Sequence, residues 1–404
     1  MKRRPPTIAL YNVTTTTKVG GVETFVWEVA ARLAARGYRA VVIGGRGPER
    51  RPAPGVQVVM LPYVDRALWR RVPLLGRQYT LTKLLERLSF GLAGLPWLLW
   101  HRPSVVYIQK PYDLPVAALC RLVGLHTVFG CHGKDFWLGD RLFTRAMQAS
   151  VSCSAYNAAQ VHARYGLHPT VIYNGVDLSV FYPVVGRQSP VARRQSSVVS
   201  RQSPVASRQS SIQNAERNPT DHGPQTTAHV VLFAGRLVRW KGVEYLIEAL
   251  PLLQTPGVAV WIAGEGPYAP ELRALAAWLG VAERVVFLGE VPTVDLPALY
   301  ARADVVVGTS FVNETFGIAL AEAMACGRPV VASRFGGFPE VVADRETGLL
   351  ARPQDPADLA AQLDALLGDP ARAAALGAAG LARVQRLFTW DAVVDRLDAV
   401  LRTL

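Results

Sequence analysis

The sequence ETFGIALAEAMACGRPVVASRFGGFPE, residues 314–340, predicts a loop, a helix and a strand in succession, and the rest of the chain is organised around it. Apolar residues recur at helical spacing from Phe316 to Ala325, and Cys326 and Gly327 close the run. The β-branched residues that follow Pro329 predict a short buried strand. The order loop, helix, strand is typical of an α/β domain.

The start of this predicted helix is suited to an anionic or strongly polar ligand. A helix that begins at Gly317 presents unpaired backbone N–H groups and a partial positive charge, which favour a phosphate or a polarised sugar oxygen. Glu314 lies just before the helix and Glu322 lies inside it. Because two carboxylates repel a phosphate, they are better suited to accept hydroxyl hydrogens, one from a sugar ring and one from a ribose. These features together predict a sugar nucleotide as the ligand.

The spacing of Glu314 and Glu322, followed by ACGRPVVAS, GGFPEVV and TGLL, resembles the donor-site signature of the retaining GT-B glycosyltransferases of family 4. A solvated helix face would explain an isolated pair of glutamates, but not the whole run in this order. The resemblance implies an α/β fold of the GT-B type, with two Rossmann-like, doubly wound domains that face a central cleft. It also implies that Phe316, Gly317, Ile318 and Glu322 bind the donor.

Length and composition agree with two globular domains. The chain has 404 residues, of which 50% are hydrophobic and 19% are charged, enough for two cores of ordinary size. The cysteines are widely separated, which predicts small core residues in a reducing compartment rather than a disulfide framework or a zinc site. They are Cys120, Cys131, Cys153 and Cys326.

The N-terminus predicts a cytoplasmic protein. MKRRPPTIALYNV passes directly into a predicted strand, without the long apolar region of a secretory signal. The apolar run FGLAGLPWLLW, residues 90–100, is shorter than the ~20 residues that a membrane-spanning helix needs.

The net charge of +13 is concentrated in the N-terminal half. Residues 1–183 contain 23 Lys and Arg against 9 Asp and Glu, whereas residues 229–404 contain 15 against 20. A basic half indicates nucleic acid, an anionic membrane surface or an acidic substrate. Because no nucleic-acid motif is present, we expect no nucleic-acid partner and favour a membrane or an acidic acceptor.

The N-terminal half begins as a doubly wound α/β domain. A strand at 7–13 leads through a polar loop to Gly20 and Gly21, and then to a helix and a second strand. The loop lacks G-x-G-x-x-G, so a dinucleotide fingerprint is not supported. The family resemblance implies that Gly20 and Gly21 contact the donor phosphates and the acceptor; a tight turn without a ligand is the alternative. By the same resemblance His132, at a predicted strand end, contributes to the sugar cleft or serves a structural role.

Residues 65–102 mix basic and aromatic residues at roughly helical spacing. Such a segment can lie in a lipid interface, with aromatic rings at headgroup depth and basic residues toward anionic lipid. The alternative is a pair of helices packed on the sheet with a solvated charged side. The residues predicted to face lipid are Trp69, Trp97, Trp100, Arg70, Arg71, Arg77 and Lys83.

Residues 184–228 interrupt the α/β pattern. VVGRQSPVARRQSS, residues 184–197, recurs as VVSRQSPVASRQSS, residues 198–211. Pro190 and Pro204 and the lack of an apolar seam argue against a coiled coil. The composition predicts a disordered insertion that can be shortened without loss of the fold. It separates an N-terminal acceptor-side domain at 1–183, to which we expect the last helix at 388–404 to return, from a donor-binding domain at 229–387.

The second α/β unit supplies the predicted cations. Its first strand ends at Gly235, and the resemblance assigns Arg236 and Lys241 to the nucleotide diphosphate. Two fixed cations would offset the charge that develops on a departing diphosphate. Gly264, after the next strand, resembles the turn on the side of the base. The chain also lacks Asp-x-Asp, the usual metal-bridging sequence of the other large glycosyltransferase architecture, so we expect no essential metal.

The implied activity is transfer of a sugar from a UDP- or GDP-sugar to an acceptor, with retention at the anomeric carbon. The catalytic candidates are Arg236, Lys241, Glu314 and His132. The alternatives are a GT-B phosphorylase, a sugar-nucleotide epimerase and a non-catalytic nucleotide-sugar binding protein. The expected acceptor is a glycan or a lipid-linked precursor of cell-envelope polysaccharide, with lipopolysaccharide, an exopolysaccharide precursor and a small molecule as the alternatives. The expected location is cytoplasmic, including the inner face of the plasma membrane.

Overall fold

A computed structural model describes residues 5–18, 20–47, 52–73, 78–133, 135–183 and 228–404. The chain divides into two compact units: unit 1 is Met1–Gly175 with Leu387–Leu404, and unit 2 is Val176–Arg386. The division falls before the boundary expected at 183, because Phe181 already packs against Tyr300 of unit 2. The insertion at 184–228, which was predicted to be disordered, lies outside the described residues except for residue 228.

Unit 1 is built on a seven-stranded parallel sheet with the strand order β3-β2-β1-β4-β5-β6-β7. Its strands are β1 (Thr7–Tyr11), β2 (Arg39–Gly45), β3 (Val56–Leu61), β4 (Val105–Ile108), β5 (His126–Cys131), β6 (Ala149–Ser152) and β7 (Thr170–Val171). Its helices before residue 176 include α1 (Gly21–Ala35), α2 (Arg66–Trp69), α3 (Tyr79–His101), α4 (Leu114–Leu122) and α5 (Ala155–Tyr165).

Successive side chains of β1 point to opposite faces of this sheet and pack in two different cores. Ile8 and Leu10 pack in the core formed with α1, whereas Ala9 and Tyr11 pack in the core formed with α3 and α4. Helices therefore cover the sheet on both sides, as the apolar strands require. The strand order reverses between β1 and β4, where sheets of this kind bind their ligands.

Unit 2 has a six-stranded parallel sheet with the order β10-β9-β8-β11-β12-β13. Its strands are β8 (His229–Ala234), β9 (Val258–Ala263), β10 (Val285–Gly289), β11 (Val305–Gly308), β12 (Val330–Ser333) and β13 (Leu349–Ala351). Its described helices include α6 (Val243–Ala249), α7 (Ala269–Trp278), α8 (Leu296–Arg302), α9 (Ile318–Ala325), α10 (Phe338–Val341), α11 (Pro356–Leu367) and α12 (Pro370–Leu387). The prediction of two doubly wound, parallel α/β units is confirmed.

Helices form the C-terminal region of the chain. The chain leaves α11 at Gly368 and begins α12 at Pro370, because proline cannot continue a helix but is favoured at its first position. The last helix, α13 (Trp390–Arg402), is part of unit 1, where Val394 packs in the same core as α1. Arg36 of α1 also pairs with Asp395 at 2.6 Å.

Candidate functional site

Unit 2 brings the predicted donor residues to one edge of its sheet. Arg236 follows β8, Gly264 follows β9, and Glu314 lies beyond the end of β11. Parallel strands of a doubly wound sheet place their ligands at these carboxyl ends. The side chain of Arg236 is exposed there. The structure thus places these sequence-distant residues at the edge where a ligand is expected.

An ion pair joins two of the predicted catalytic residues. Lys241 Nζ lies 2.7 Å from Glu314 Oε2, and the side chains are 26% and 10% exposed. Ser310 donates its hydroxyl hydrogen to the same carboxylate oxygen at 3.0 Å. Thr309 donates to the backbone oxygen of Lys241 at 2.8 Å. Neither hydroxyl was predicted from the sequence, although their position immediately after β11 is the signal that could have identified them.

Two glycines allow these loops to approach closely. Gly242 has a φ of +65°, and a Cβ there would lie 2.3 Å from the carbonyl oxygen of Thr309. Gly264 has a φ of +143°, and its Cβ would lie 1.9 Å from the carbonyl oxygen of Gly235. Because both conformations favour glycine and both spaces exclude a methyl group, the loops that carry Arg236 and Lys241 pack directly on neighbouring backbone.

Helix α9 supplies the N-terminus that the sequence predicts. Its cap, Gly317, is left-handed with a φ of +101°, and the first amides of a helix lack intrahelical partners. Ile318 is partly exposed at this end, whereas the Phe316 side chain is almost fully buried. Phe316 therefore contributes its side chain to packing, so only its backbone can serve the donor-binding role that was predicted for it.

Glu322 lies in a less polar environment than Glu314. Tyr300 donates its phenolic hydrogen to Glu322 Oε2 at 3.1 Å. Burial disfavours the charged carboxylate and raises the pKa of Glu322 to about 7, an effect that the Tyr300 hydrogen bond partly opposes. Near neutral pH this residue can therefore accept a hydrogen bond as a carboxylate or donate one as an acid.

Unit 1 places its predicted residues at the carboxyl edge of its own sheet. Gly20 caps α1 at the end of the loop that follows β1, Gly21 is the first residue of α1, and His132 directly follows β5. The imidazole of His132 packs 4.4 Å from the Phe25 ring, measured between centroids. Burial, assisted by the charge of Lys110, lowers the pKa of His132 to about 3, so the ring is neutral at physiological pH.

The structure also shows a buried charged group that sequence reasoning did not identify. Arg87 of α3 donates to Asp113 Oδ2 at 2.8 Å and to Asn12 Oδ1 at 2.9 Å, and all three residues are buried. Burial raises the pKa of Asp113, although the neighbouring guanidinium opposes this. The group ties α3 to the ends of β1 and β4, where the strand order reverses.

The predicted lipid-facing role of Lys83 is wrong. Its ammonium is turned inward, 2.9 Å from Asp135 Oδ2, and its side chain is 10% exposed. Trp100, by contrast, is 85% exposed. Arg70 and Arg71 are exposed, Trp69 and Trp97 are partly buried, and Arg77 lies outside the described residues. Only part of the basic and aromatic segment at 65–102 is therefore exposed and able to contact a membrane surface.

Two protein families match the chain. The family described as glycosyl transferases group 1 matches residues 214–383, and the family described as glycosyltransferase family 4 matches residues 19–180. The D-inositol 3-phosphate glycosyltransferase of Thermomonospora curvata is 35% identical over 94% of this chain and 89% of its own length.

Other similarities are more limited in extent or in identity. The GDP-mannose-dependent alpha-(1-6)-phosphatidylinositol monomannoside mannosyltransferase of Mycolicibacterium smegmatis is 45% identical over 37% of this chain, and the alignment spans only 42% of that enzyme. Sucrose-phosphate synthase of Thermosynechococcus elongatus has a TM-score of 0.73 at 23% identity, with 98% of each chain covered. HepE of Anabaena, solved with UDP and glucose, has a TM-score of 0.72 at 22% identity and covers 99% of this chain and 100% of its own. The two structures establish the GT-B fold.

Proposed function

Because the chain belongs to the family 4 glycosyltransferases of the GT-B fold, we propose that it transfers a sugar from a nucleoside diphosphate sugar to an acceptor, with retention of anomeric configuration. The Lys241–Glu314 pair beside the N-terminus of α9 is the observation that carries this proposal. It provides a cation for a diphosphate and a carboxylate for sugar hydroxyls in one place. We propose that unit 2 binds the donor and unit 1 the acceptor.

The cations of unit 2 stabilise the leaving group. As the bond between the anomeric carbon and the diphosphate oxygen breaks, negative charge grows on the diphosphate. Arg236, Lys241 and the first amides of α9 are suited to stabilise that charge. Lys241 must first exchange part of its contact with Glu314 for the phosphate, which leaves the carboxylate to accept hydrogen bonds from the donor sugar.

The acceptor proton is transferred to the leaving diphosphate. The acceptor oxygen bonds to the anomeric carbon on the face that the diphosphate leaves, and its proton passes to a diphosphate oxygen. This step needs no protein base, which agrees with the low pKa of His132. A neutral imidazole still positions a hydroxyl by hydrogen bonding.

We further propose that the donor is a GDP-sugar, since the mannosyltransferase relative is named as GDP-mannose-dependent. A panel of GDP- and UDP-sugars, tested by thermal shift and then for turnover with inositol and inositol 3-phosphate, checks both proposals. GDP-mannose is expected to raise the melting temperature most and to be consumed with an acceptor. Stabilisation by UDP-sugars alone would overturn the choice of base.

The same assays separate the alternative activities. Consumption of donor only in the presence of inorganic phosphate would identify a phosphorylase, and a change of the donor sugar without an acceptor would identify an epimerase. Binding without any turnover would identify a binding protein. Glu314→Gln is expected to slow transfer at least 10-fold, whereas the control Glu346→Gln, an exposed carboxylate elsewhere on unit 2, is expected to leave it unchanged.

We also propose that unit 1 contacts an anionic membrane surface through what we call its apolar face. No helix in the described parts of the chain is long and apolar enough to cross a membrane. Helix α4 packs on α3 and on the turn at Asp140–Ala146, and large apolar side chains are exposed on all three segments. They include Leu92, Trp100, Leu119, Leu122 and Leu142, near the exposed Arg102, Arg121, Arg141 and Arg145.

Vesicle sedimentation tests this contact. The protein is expected to sediment with vesicles that contain anionic phospholipid and to remain in solution with purely zwitterionic vesicles. Leu92→Glu with Leu122→Glu is expected to abolish sedimentation, whereas Trp278→Glu, at an exposed aromatic position on unit 2, retains it. Equal sedimentation of the double variant and the wild type would exclude the apolar face as the contact.

A further inference from the structure

Two lysines of unit 1 converge on one carboxylate oxygen. Lys83 Nζ lies 2.9 Å and Lys110 Nζ lies 3.1 Å from Asp135 Oδ2. Both ammonium groups contact the same atom, so they lie within about 6 Å of each other and repel. A structural ion pair requires one cation for one carboxylate, and the second lysine leaves an excess positive charge.

The two cations are less accessible than the anion between them. The side chains of Lys83 and Lys110 are 10% and 18% exposed, whereas that of Asp135 is 41% exposed. The Lys83 ammonium also lies 4.9 Å from the centre of the Tyr112 ring. Burial lowers the pKa of Lys83, although Asp135 opposes this, because a partly desolvated ammonium is costly without a full counter-charge. The Asp135 carboxylate is therefore the most exposed part of this cluster, and it neutralises the charge of the two lysines only in part.

The position of this cluster in the fold is that of a ligand site. Lys110 lies just beyond the end of β4, next to the reversal in strand order, and Asp135 lies beyond the end of β5. The charge of Lys110 also lowers the pKa of His132, which places the cluster beside the proposed acceptor-side histidine. Arg87 adds no free charge here, because Asp113 neutralises it.

We propose that Lys83 and Lys110 form a subsite for a phosphoryl group of the acceptor, and that Asp135 holds the two lysines together when the acceptor is absent. The proposal rests on the proposed function and assigns the acceptor to a chemical class, that of sugar or cyclitol phosphates and their esters. A phosphoryl group offers several acceptor oxygens and one or two negative charges, so it satisfies both ammonium groups where one carboxylate oxygen cannot. Asp135 competes with this ligand.

Calorimetric titration of the full chain tests the subsite. The probes are inositol, inositol 3-phosphate and glycerophosphoinositol, a soluble phosphodiester that represents the lipid headgroup. Inositol 3-phosphate is expected to bind at least 10-fold more tightly than inositol, and its affinity is expected to fall as salt is added. Comparable binding of the diester would identify a lipid headgroup as the source of the phosphoryl group, and binding of the monoester alone would identify a free phosphate.

Two substitutions give effects of opposite sign. Lys110→Met is expected to weaken inositol 3-phosphate binding at least 10-fold, whereas Asp135→Asn, which removes the competing charge, is expected to tighten it several-fold. Arg39→Met serves as the control, because it removes an exposed cation at the amino-terminal end of β2, opposite the carboxyl ends of the strands where the two lysines lie. If Asp135→Asn is poorly folded, Asp135→Ser and the salt dependence of the wild type replace it.

The outcomes separate this proposal from the proposed function. Equal affinities for inositol and inositol 3-phosphate, no binding of any phosphorylated probe, or an unchanged affinity in Lys110→Met would overturn the subsite. Sugar transfer to a neutral acceptor together with such a result would leave the proposed function intact. Phosphate-dependent binding without any sugar transfer would support the subsite and refute the proposed function.

Discussion

Glu314→Gln is expected to tighten the binding of a free nucleoside diphosphate while it slows sugar transfer. In the free protein Lys241 Nζ lies 2.7 Å from Glu314 Oε2, so a diphosphate that binds this lysine must compete with the carboxylate. Glutamine keeps the shape of the side chain but removes its charge. The lysine then meets the diphosphate without an internal competitor, and the donor sugar loses a strong hydrogen-bond acceptor.

The magnitude follows from the geometry of the pair. At 2.7 Å and an effective dielectric constant of about 20, the attraction is about 6 kcal/mol. Desolvation offsets most of it, because both side chains are largely removed from water. A remainder of about 1–2 kcal/mol corresponds to about 5- to 30-fold tighter binding of the diphosphate. The rate of sugar transfer is expected to fall at least 10-fold.

Calorimetric titration with GDP and UDP measures the first effect, and release of diphosphate in the presence of an acceptor measures the second. Glu346→Gln is the matched control. Lys241→Met is expected to weaken diphosphate binding both as a single variant and in combination with Glu314→Gln. An affinity for diphosphate that is unchanged or lower in Glu314→Gln would refute the idea that the two donor residues compete in the free protein.

Ser310→Ala removes a hydrogen bond to the Glu314 carboxylate, so it is expected to raise the donor KM and lower kcat in steady-state kinetics. Ser310→Thr keeps the hydroxyl and is expected to restore both constants. Equal kinetic constants for the alanine and threonine variants would contradict this role of Ser310. The folded-state pKa of Glu322 is raised to about 7, so its contribution to stability is fully present below the unfolded pKa near 4.5 and is lost as the pH rises through 7. Glu322→Gln is therefore expected to lose less stability than the wild type between pH 5 and 8, by about 3 kcal/mol in denaturant titrations, and parallel pH profiles would contradict it. Shortening 184–227 to a few residues is expected to leave the melting temperature within a few degrees of the wild type, and a chain that fails to fold would disprove it.

Strand positions and the two α/β units could be predicted because each depends on local pattern. The buried strands are continuous apolar runs, and turn residues such as Gly235 and Gly264 mark their ends. The position of Glu314 beside the α9 terminus follows from the same local order, since a strand, a loop and a helix succeed one another within a few residues.

The contacts that depend on distant residues could not be predicted. Helical spacing placed Lys83 on a basic face, but its partner Asp135 lies on a different element, and only the fold brings the two together. Thr309 likewise donates to the backbone oxygen of Lys241, which lies 68 residues away in the sequence, so this bond appears only when the loop after β11 is in place. Phe316 was grouped with donor-binding residues although its side chain is needed by the core.

The most direct measurement of the central claim is the anomeric configuration of the product. The purified protein is incubated with GDP-α-mannose and inositol 3-phosphate, and the new linkage is read by proton and carbon NMR from its one-bond coupling constant. We predict an α-linked product that forms with the wild type and Glu346→Gln and is absent with Lys241→Met. A β-linked product would contradict retention, and undiminished transfer by Lys241→Met would contradict the assignment of the donor site to unit 2.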